Sequence, residues 1–135
     1  MINDVEKVLL SEEQLSQKIA ELGEEISKDY QGKEIVAICV LKGAILFMAD
    51  LARAVKAPMA LDFMAVSSYG NGTSTSGTVR ILKDLDNSIE GKHVLVVEDI
   101  IDSGVTLKYL LKNLKSRKPA SIKLCTLLNK PERRR

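Results

Sequence analysis

Residues 93–107 read HVLVVEDIIDSGVTL, and this segment predicts much of the architecture around it. The apolar run His93–Val97 has the pattern of a buried β-strand. We expect that strand to end at Glu98-Asp99, and the turn Asp102-Ser103-Gly104-Val105-Thr106 to open a helix. Three carboxylates so close to a core strand repel one another and resist desolvation, unless a positive or protic group binds there. The segment therefore predicts a ligand site.

The polar residues of this segment suggest two binding functions. Glu98 and Asp99 suit a hydroxylated sugar and its metal. The turn that follows predicts a phosphate cradle, because Gly104 lets the backbone approach a ligand closely and Ser103 and Thr106 offer hydroxyl groups. The free N–H groups at the start of the helix also favour a phosphate dianion.

Length and composition predict a single domain over residues 1–135, located in the cytoplasm. There is no apolar run that could span a bilayer and no signal-peptide pattern. A net charge of +2 on interleaved acids and bases favours a small-molecule partner over nucleic acid or a membrane. Cys39 and Cys125 lie in apolar runs and are expected to be buried free thiols. There is no zinc pattern, and His93, the only histidine, is expected to cap the entry of its strand.

Strand and helix patterns alternate along the chain. The fold class is therefore α/β, with a mostly parallel twisted sheet, helices on both faces and ligands at the carboxyl ends of the strands. A capping box at Ser11–Gln14 opens the first helix, and Leu46, Ala49 and Leu51 are expected to make apolar contacts from the second. The expected strands are 34–41, 59–67, 78–84, 93–97 and 121–128, and the expected helices begin near residues 12, 44 and 105.

Two further segments border the predicted ligand edge. Lys42-Gly43 directly follows a strand, and the alternative interpretation is a plain turn with a solvated lysine. The segment at about 68–77 has no apolar period and is rich in Gly, Ser and Thr, which predicts a flexible loop. Its two interpretations are a lid over the ligand and a disordered hairpin tip.

The order of apolar residues, two acidic residues, two apolar residues and Asp-Ser-Gly-x-Thr in 93–107 resembles the phosphoribosyl pyrophosphate (PRPP) signature of type I phosphoribosyltransferases. This resemblance implies a Rossmann-like core and a Mg²⁺-dependent transfer of the phosphoribosyl group. It implies that Glu98 and Asp99 hold the ribose hydroxyls and the metal. It also implies that the backbone of 102–106 anchors the 5′-phosphate and that Asp102 accepts the proton from purine N7.

The resemblance is closest to the bacterial hypoxanthine-guanine branch. Val40–Ala44 resembles the pyrophosphate loop of that branch, in which Lys42 and Gly43 follow a cis peptide bond after Leu41. Ser68 and Tyr69 resemble the dyad of its closing loop. Lys130 matches the lysine that contacts the 6-oxo group of the purine.

The branch implies the ligands hypoxanthine or guanine, pyrophosphate, and inosine or guanosine monophosphate (IMP or GMP), and a homodimer or homotetramer. The resemblance ends near Pro131, so we expect the C-terminal hood that stacks on the purine to be absent. Two alternatives stay open at this point. One is a truncated PRPP- or nucleotide-binding scaffold with weak or no turnover, and the other is a PRPP-sensing regulatory protein of the same fold.

Overall fold

The computed structural model describes residues 11–68, 79–101 and 105–129, which form three helices and five strands. The helices are α1 (Glu12–Asp29), α2 (Ile45–Ala54) and α3 (Val105–Lys115), and the strands are β1 (Ile35–Leu41), β2 (Met59–Ser68), β3 (Val79–Lys83), β4 (His93–Ile101) and β5 (Ser121–Asn129). None of these helices is long and apolar enough to cross a membrane.

The strands form one sheet in the order β3-β2-β1-β4-β5. β1 pairs in parallel with β2 and β4, and β4 pairs in parallel with β5. Only β3 runs antiparallel, against the end of β2. Because three of the four strand pairs are parallel, the connections between them must cross over the sheet, and helices α2 and α3 make two of those crossovers. The predicted mostly parallel α/β sheet is confirmed.

The two faces of the sheet bury separate apolar cores, as the prediction of helices on both faces requires. One core joins α1 and α2 to the sheet, and the other joins α3 to the opposite face. Leu110 and Leu114 of α3 are fully buried, and Leu107 and Leu111 pack beside them. Strand β1 buries Ile35 and every residue from Ala37 to Val40, which is typical of a strand covered on both faces.

Helix α1 begins with the predicted capping box. The Ser11 hydroxyl accepts a hydrogen bond from Gln14 N at 3.0 Å, and the Gln14 amide oxygen accepts one from Ser11 N at 2.9 Å. The helix then passes very close to the end of α2, because a Cβ on Gly23 would lie 2.6 Å from the Ala54 Cβ. Glycine at this position therefore lets the two helices pack against each other.

The structure extends β4 beyond its predicted end. The apolar run stops at Val97, yet the strand continues to Ile101 and includes Glu98. The physical reason is the neighbouring strand β5, whose residues up to Asn129 remain paired with β4 to its last residue. Pairing with β1 ends earlier, at Cys39 opposite Val97. Glu98 and Asp99 thus lie in the part of β4 that runs beside β5 and no longer pairs with β1.

Two smaller expectations are also corrected. Leu46 and Ala49 are exposed, because the buried side of α2 is formed by Phe47, Met48 and Leu51. Ser68, expected to open the glycine-rich loop, is the last residue of β2 and pairs with Val79.

The two cysteines are buried and form no disulfide, as predicted. Burial raises the pKa of the Cys125 thiol to about 11.

At the opposite end of the sheet from Glu98, the ring of His93 lies at the first residue of β4. Its Nδ1 is 2.8 Å from Ser121 Oγ, and its ring meets that of Tyr30 edge-on at 6.3 Å between centroids.

Candidate active site at the carboxyl edge of the sheet

The predicted ligand residues follow neighbouring strands at one edge of the sheet. β1 ends at Leu41 and β4 at Ile101, and the parallel register places Cys39 opposite Val97. Glu98 therefore lies one residue beyond the last β1–β4 pair and Lys42 three residues beyond it, on two strands about 5 Å apart. The structure thus brings the Lys42-Gly43 turn and the start of the acidic segment to the same edge, as the sequence predicts.

The Lys42-Gly43 turn has the features expected of it. The Leu41–Lys42 peptide bond is cis, which confirms the geometry implied by the resemblance. Both Lys42 and Gly43 are exposed, so an incoming ligand can reach them. The turn is closed by backbone hydrogen bonds from Ala44 N to Val40 O at 3.3 Å and from Ile45 N to Lys42 O at 3.1 Å.

The helices that follow β1 and β4 begin without acidic residues. Neither α2 nor α3 has an acidic side chain in its first turn, and Ala44, the N-cap of α2, makes no side-chain hydrogen bond. By contrast, α1 carries Glu12 and Glu13 in its first turn and is capped by Ser11. The described first turns of α2 and α3 thus hold no acidic side chain, which favours anionic ligands at these positive helix ends.

Glu98 is half-buried on β4. It lies on the same face as Val94 and Val96, because alternate residues of a strand share a face, and that face is the one that α3 covers. Thr106, in the first turn of α3, is also half-buried. The described polar side chains of this segment are therefore the carboxylate of Glu98 and the hydroxyl of Thr106 at the start of α3.

Several predicted site residues lie outside the described part of the structure. They are Tyr69 of the glycine-rich loop, Asp102, Ser103 and Gly104 of the phosphate turn, and Lys130. Asp99 and Val105 are described only as members of β4 and α3, and Ser68 only as the end of β2. Their side-chain roles remain predictions.

The sequence patterns did not predict the role of one buried polar residue, Asp62. Asp62 of β2 is only 4% exposed, and its carboxylate accepts backbone hydrogen bonds from Phe63, Asp86 and Asn87. The available signal was a single carboxylate within an otherwise apolar strand, Met59–Val66. Asp62 orders the segment that leads into β4 and therefore supports the site indirectly.

Comparisons with known proteins agree with this geometry. Residues 7–135 match the family model described as phosphoribosyl transferase domain. A hypoxanthine-guanine phosphoribosyltransferase of Mycobacterium tuberculosis is 56% identical over 135 residues, which cover 96% of this chain and 67% of that protein. The Bacillus subtilis protein of the same name is 53% identical and covers all of this chain, which spans 75% of it.

A solved structure shows the same fold. The crystal structure of a hypoxanthine phosphoribosyltransferase from Staphylococcus aureus superposes with a TM-score of 0.90 at 48% identity, covering 99% of this chain and 73% of that one.

Proposed function

The chain belongs to the phosphoribosyl transferase domain family, and on that premise we propose that it is a purine salvage enzyme. It transfers the 5-phosphoribosyl group of PRPP to N9 of hypoxanthine or guanine, and the products are IMP or GMP and pyrophosphate. The observation that carries the proposal is the shared sheet edge, where the turn after β1 and the acidic segment of β4 lie on neighbouring parallel strands. Relatives that are 53% to 56% identical and are named for this reaction support it.

The reaction exchanges one bond at the anomeric carbon for another. The C1–O bond to pyrophosphate breaks, and its electron pair leaves with the pyrophosphate. Purine N9 supplies the electron pair of the new C1–N bond, and the proton on N7 passes to the Asp102 carboxylate. A positioned general base of this kind is typically worth about 10²- to 10⁴-fold in rate.

The acidic pair holds the sugar. Glu98 and Asp99 accept hydrogen bonds from the ribose hydroxyls and orient C1 between the two exchanging groups. Their negative charge also stabilises the oxocarbenium character that develops at C1 as the leaving group departs.

The phosphate groups bind at the two helix starts of this edge. The segment Asp102–Thr106, which leads into α3, anchors the 5′-phosphate through its backbone N–H groups and the hydroxyls of Ser103 and Thr106. The exposed Lys42-Gly43 turn before α2 holds the pyrophosphate. In this proposal, Ser68 and Tyr69 close over the substrates and exclude water from C1, and Lys130 selects the 6-oxo group of the purine.

Mg²⁺ fits this donor set. Magnesium is usually held by one or two carboxylates together with substrate phosphates, and Glu98 and Asp99 offer two carboxylates at the edge where the phosphates are proposed to bind. When bound, Mg²⁺ neutralises the charge of the pyrophosphate leaving group.

The same proposal includes a homodimer or homotetramer in the cytoplasm. Ile45 and Leu46, beside the Lys42-Gly43 turn, expose 45% and 77% of their surface, which supports contact with a second copy. The two cysteines form no disulfide, which supports a reducing compartment.

The test is PRPP-dependent formation of IMP from hypoxanthine with Mg²⁺, with the Asp102→Asn protein as the blank. We expect turnover well above that blank, with equal release of pyrophosphate. Protein that binds PRPP and forms no IMP or GMP would contradict the enzyme assignment and leave a PRPP-binding scaffold.

A further inference from the structure

Glu98 and Thr126 are direct neighbours across the β4–β5 pair. The parallel register places Thr126 opposite Glu98, and two residues earlier it places Leu124 opposite Val96. Val96 and Leu124 belong to the core under α3, so Glu98 and Thr126 lie on that same face, because alternate residues of a strand share a face. Both side chains are half-buried. A carboxylate and a hydroxyl thus occupy adjacent positions at the edge where the substrate is proposed to bind.

The other neighbour of β4 offers Glu98 no comparable group. Pairing between β1 and β4 ends at Cys39 opposite Val97, one residue before Glu98. The next residue of β1 is Val40, whose side chain is apolar and 94% buried, since its exposed fraction is 6%. Among the described strands, the polar residue that the register brings beside Glu98 is therefore Thr126.

We propose that Thr126 is a positioning residue, whose hydroxyl donates a hydrogen bond to the Glu98 carboxylate and holds it toward the ribose of PRPP. Neighbouring strands lie about 5 Å apart, a separation that a hydroxyl on Cβ and the longer glutamate side chain can close together. Glutamate loses considerable rotamer freedom when it is fixed, so a partner that fixes it beforehand improves substrate binding. The inference rests on the proposed function, in which Glu98 binds the ribose hydroxyls.

The test compares Thr126→Val, which keeps the β-branched shape and removes the hydroxyl, with Thr126→Ser, which keeps the hydroxyl. Calorimetric titration with PRPP, without purine, measures the Kd. We expect Thr126→Val to weaken PRPP binding by about 10-fold, the lower end of the range for a hydrogen bond to a charged group. Thr126→Ser is expected to stay within about 2-fold of the wild type, as a hydroxyl on a non-branched side chain can still reach the carboxylate.

A second pair of variants separates this role from a general effect on packing. In a Glu98→Gln background, Thr126→Val is expected to cost clearly less than in the wild type, because the charged acceptor is already gone. Each titration is scaled to the folded fraction measured by circular dichroism. Equal losses for the Val and Ser variants, an unchanged Kd in Thr126→Val, or full additivity with Glu98→Gln would each overturn the inference. Wild-type protein that binds no PRPP would instead overturn the proposed function, which separates the two failures.

Discussion

The carboxylate of Asp62 accepts hydrogen bonds from the backbone N–H of Asp86 at 3.2 Å to Oδ1 and 3.1 Å to Oδ2. Phe63 N donates to Oδ1 at 2.8 Å, and Asn87 N donates to Oδ2 at 3.3 Å. The carboxyl group of Asp62, a residue that is only 4% exposed, thus accepts hydrogen bonds from three backbone N–H groups. The contact ties the middle of β2 to the segment before β4, and so fixes how the chain enters the strand that carries Glu98.

Replacing Asp62 with alanine removes the acceptor and leaves these buried donors unpaired. We expect the free energy of unfolding to fall by about 2–4 kcal/mol, because each unsatisfied buried donor costs about 1–3 kcal/mol and part of the segment can relax into water. Urea unfolding followed by circular dichroism measures the loss. The matched control is Asp86→Ala, which keeps the backbone donor and should change stability by less than about 1 kcal/mol. Similar losses in both variants would show that the Asp62 contact does not stabilise the fold.

Gly23→Ala tests the close approach of α1 and α2. The new Cβ would lie 2.6 Å from the Ala54 Cβ and 2.7 Å from the Ala54 carbonyl oxygen, so the helices must separate. Overpacking of this kind costs about 1–3 kcal/mol, which exceeds the gain of about 0.5–1 kcal/mol in helix propensity. We therefore expect a lower melting temperature.

The matched control for that variant is the double change Gly23→Ala with Ala54→Gly. It removes one of the two colliding Cβ atoms and should recover part of the lost stability. A melting temperature for Gly23→Ala at or above that of the wild type would contradict the close packing of the two helices.

The pair of Asp84 and Arg117 predicts a stability effect that depends on pH. Arg117 Nη1 is 2.9 Å from Asp84 Oδ1, and Arg117 Nη2 is 3.2 Å from Oδ2. The hydrogen bond from Arg117, aided by one from Leu85 N, holds the pKa of the Asp84 carboxyl below its ordinary value of 3.8, against a smaller opposing effect of burial. Because the folded-state pKa is the lower one, the pair stabilises the fold above about pH 4 and loses that effect as the pH falls through the lowered pKa.

Asp84→Asn should therefore lower the melting temperature slightly at pH 7 and have no effect near pH 2. The difference stays below about 1 kcal/mol, because half of the Asp84 side chain is exposed. Arg117→Gln should show the same trend, and the two changes together should cost no more than one alone. A difference that grows as the pH falls would contradict this sign.

The two cysteines should be unreactive in the folded chain. Cys39 and Cys125 are 0% and 6% exposed, and a pKa of about 11 leaves about one Cys125 thiol in a thousand ionised at pH 8. A chromogenic disulfide reagent should therefore titrate no thiol in native protein and two in urea. The Cys39→Ser variant isolates the signal of Cys125. Rapid labelling of native Cys39→Ser would contradict the burial of Cys125.

Local patterns in the sequence predicted local structure but did not predict contacts between distant segments. The capping box at Ser11 lies within one turn, so four residues suffice to predict it. The continuation of β4 past Val97 depends on pairing with β5, and composition alone does not reveal that pairing. The sequence did not predict that Asp62 is a hydrogen-bond acceptor for the same reason, because its donors on Asp86 and Asn87 are 24 and 25 residues away.

At the candidate site, too, residues that are neighbours in the chain were predicted, and residues brought together by the sheet were not. The order of Glu98, Asp102 and Thr106 along one segment predicted a sugar and phosphate site, because the residues are neighbours in the chain. The position of Thr126 beside Glu98 is a property of sheet register, which becomes known only when β4 and β5 are aligned.

The assignment of Asp102 as the general base is tested by Asp102→Asn. The amide is nearly isosteric with the carboxylate and cannot accept the N7 proton, so the rate of IMP formation should fall by about 10²- to 10⁴-fold. PRPP binding should change far less, because the base acts on the purine and the backbone N–H groups of the phosphate turn are kept. Rapid-quench measurement of a single turnover reports the rate of the chemical step, and calorimetry reports the Kd for PRPP.

The matched control for this variant is Asp50→Asn, an equivalent change on the exposed side of α2, where Asp50 pairs with Arg53. It should leave both quantities unchanged. The pH profile adds a second readout, because the rising limb governed by the base should be present in the wild type and in Asp50→Asn and lost in Asp102→Asn. If Asp102→Asn weakened PRPP binding as much as it slowed the reaction, Asp102 would be a phosphate-binding residue and the base would have to be sought elsewhere at this edge.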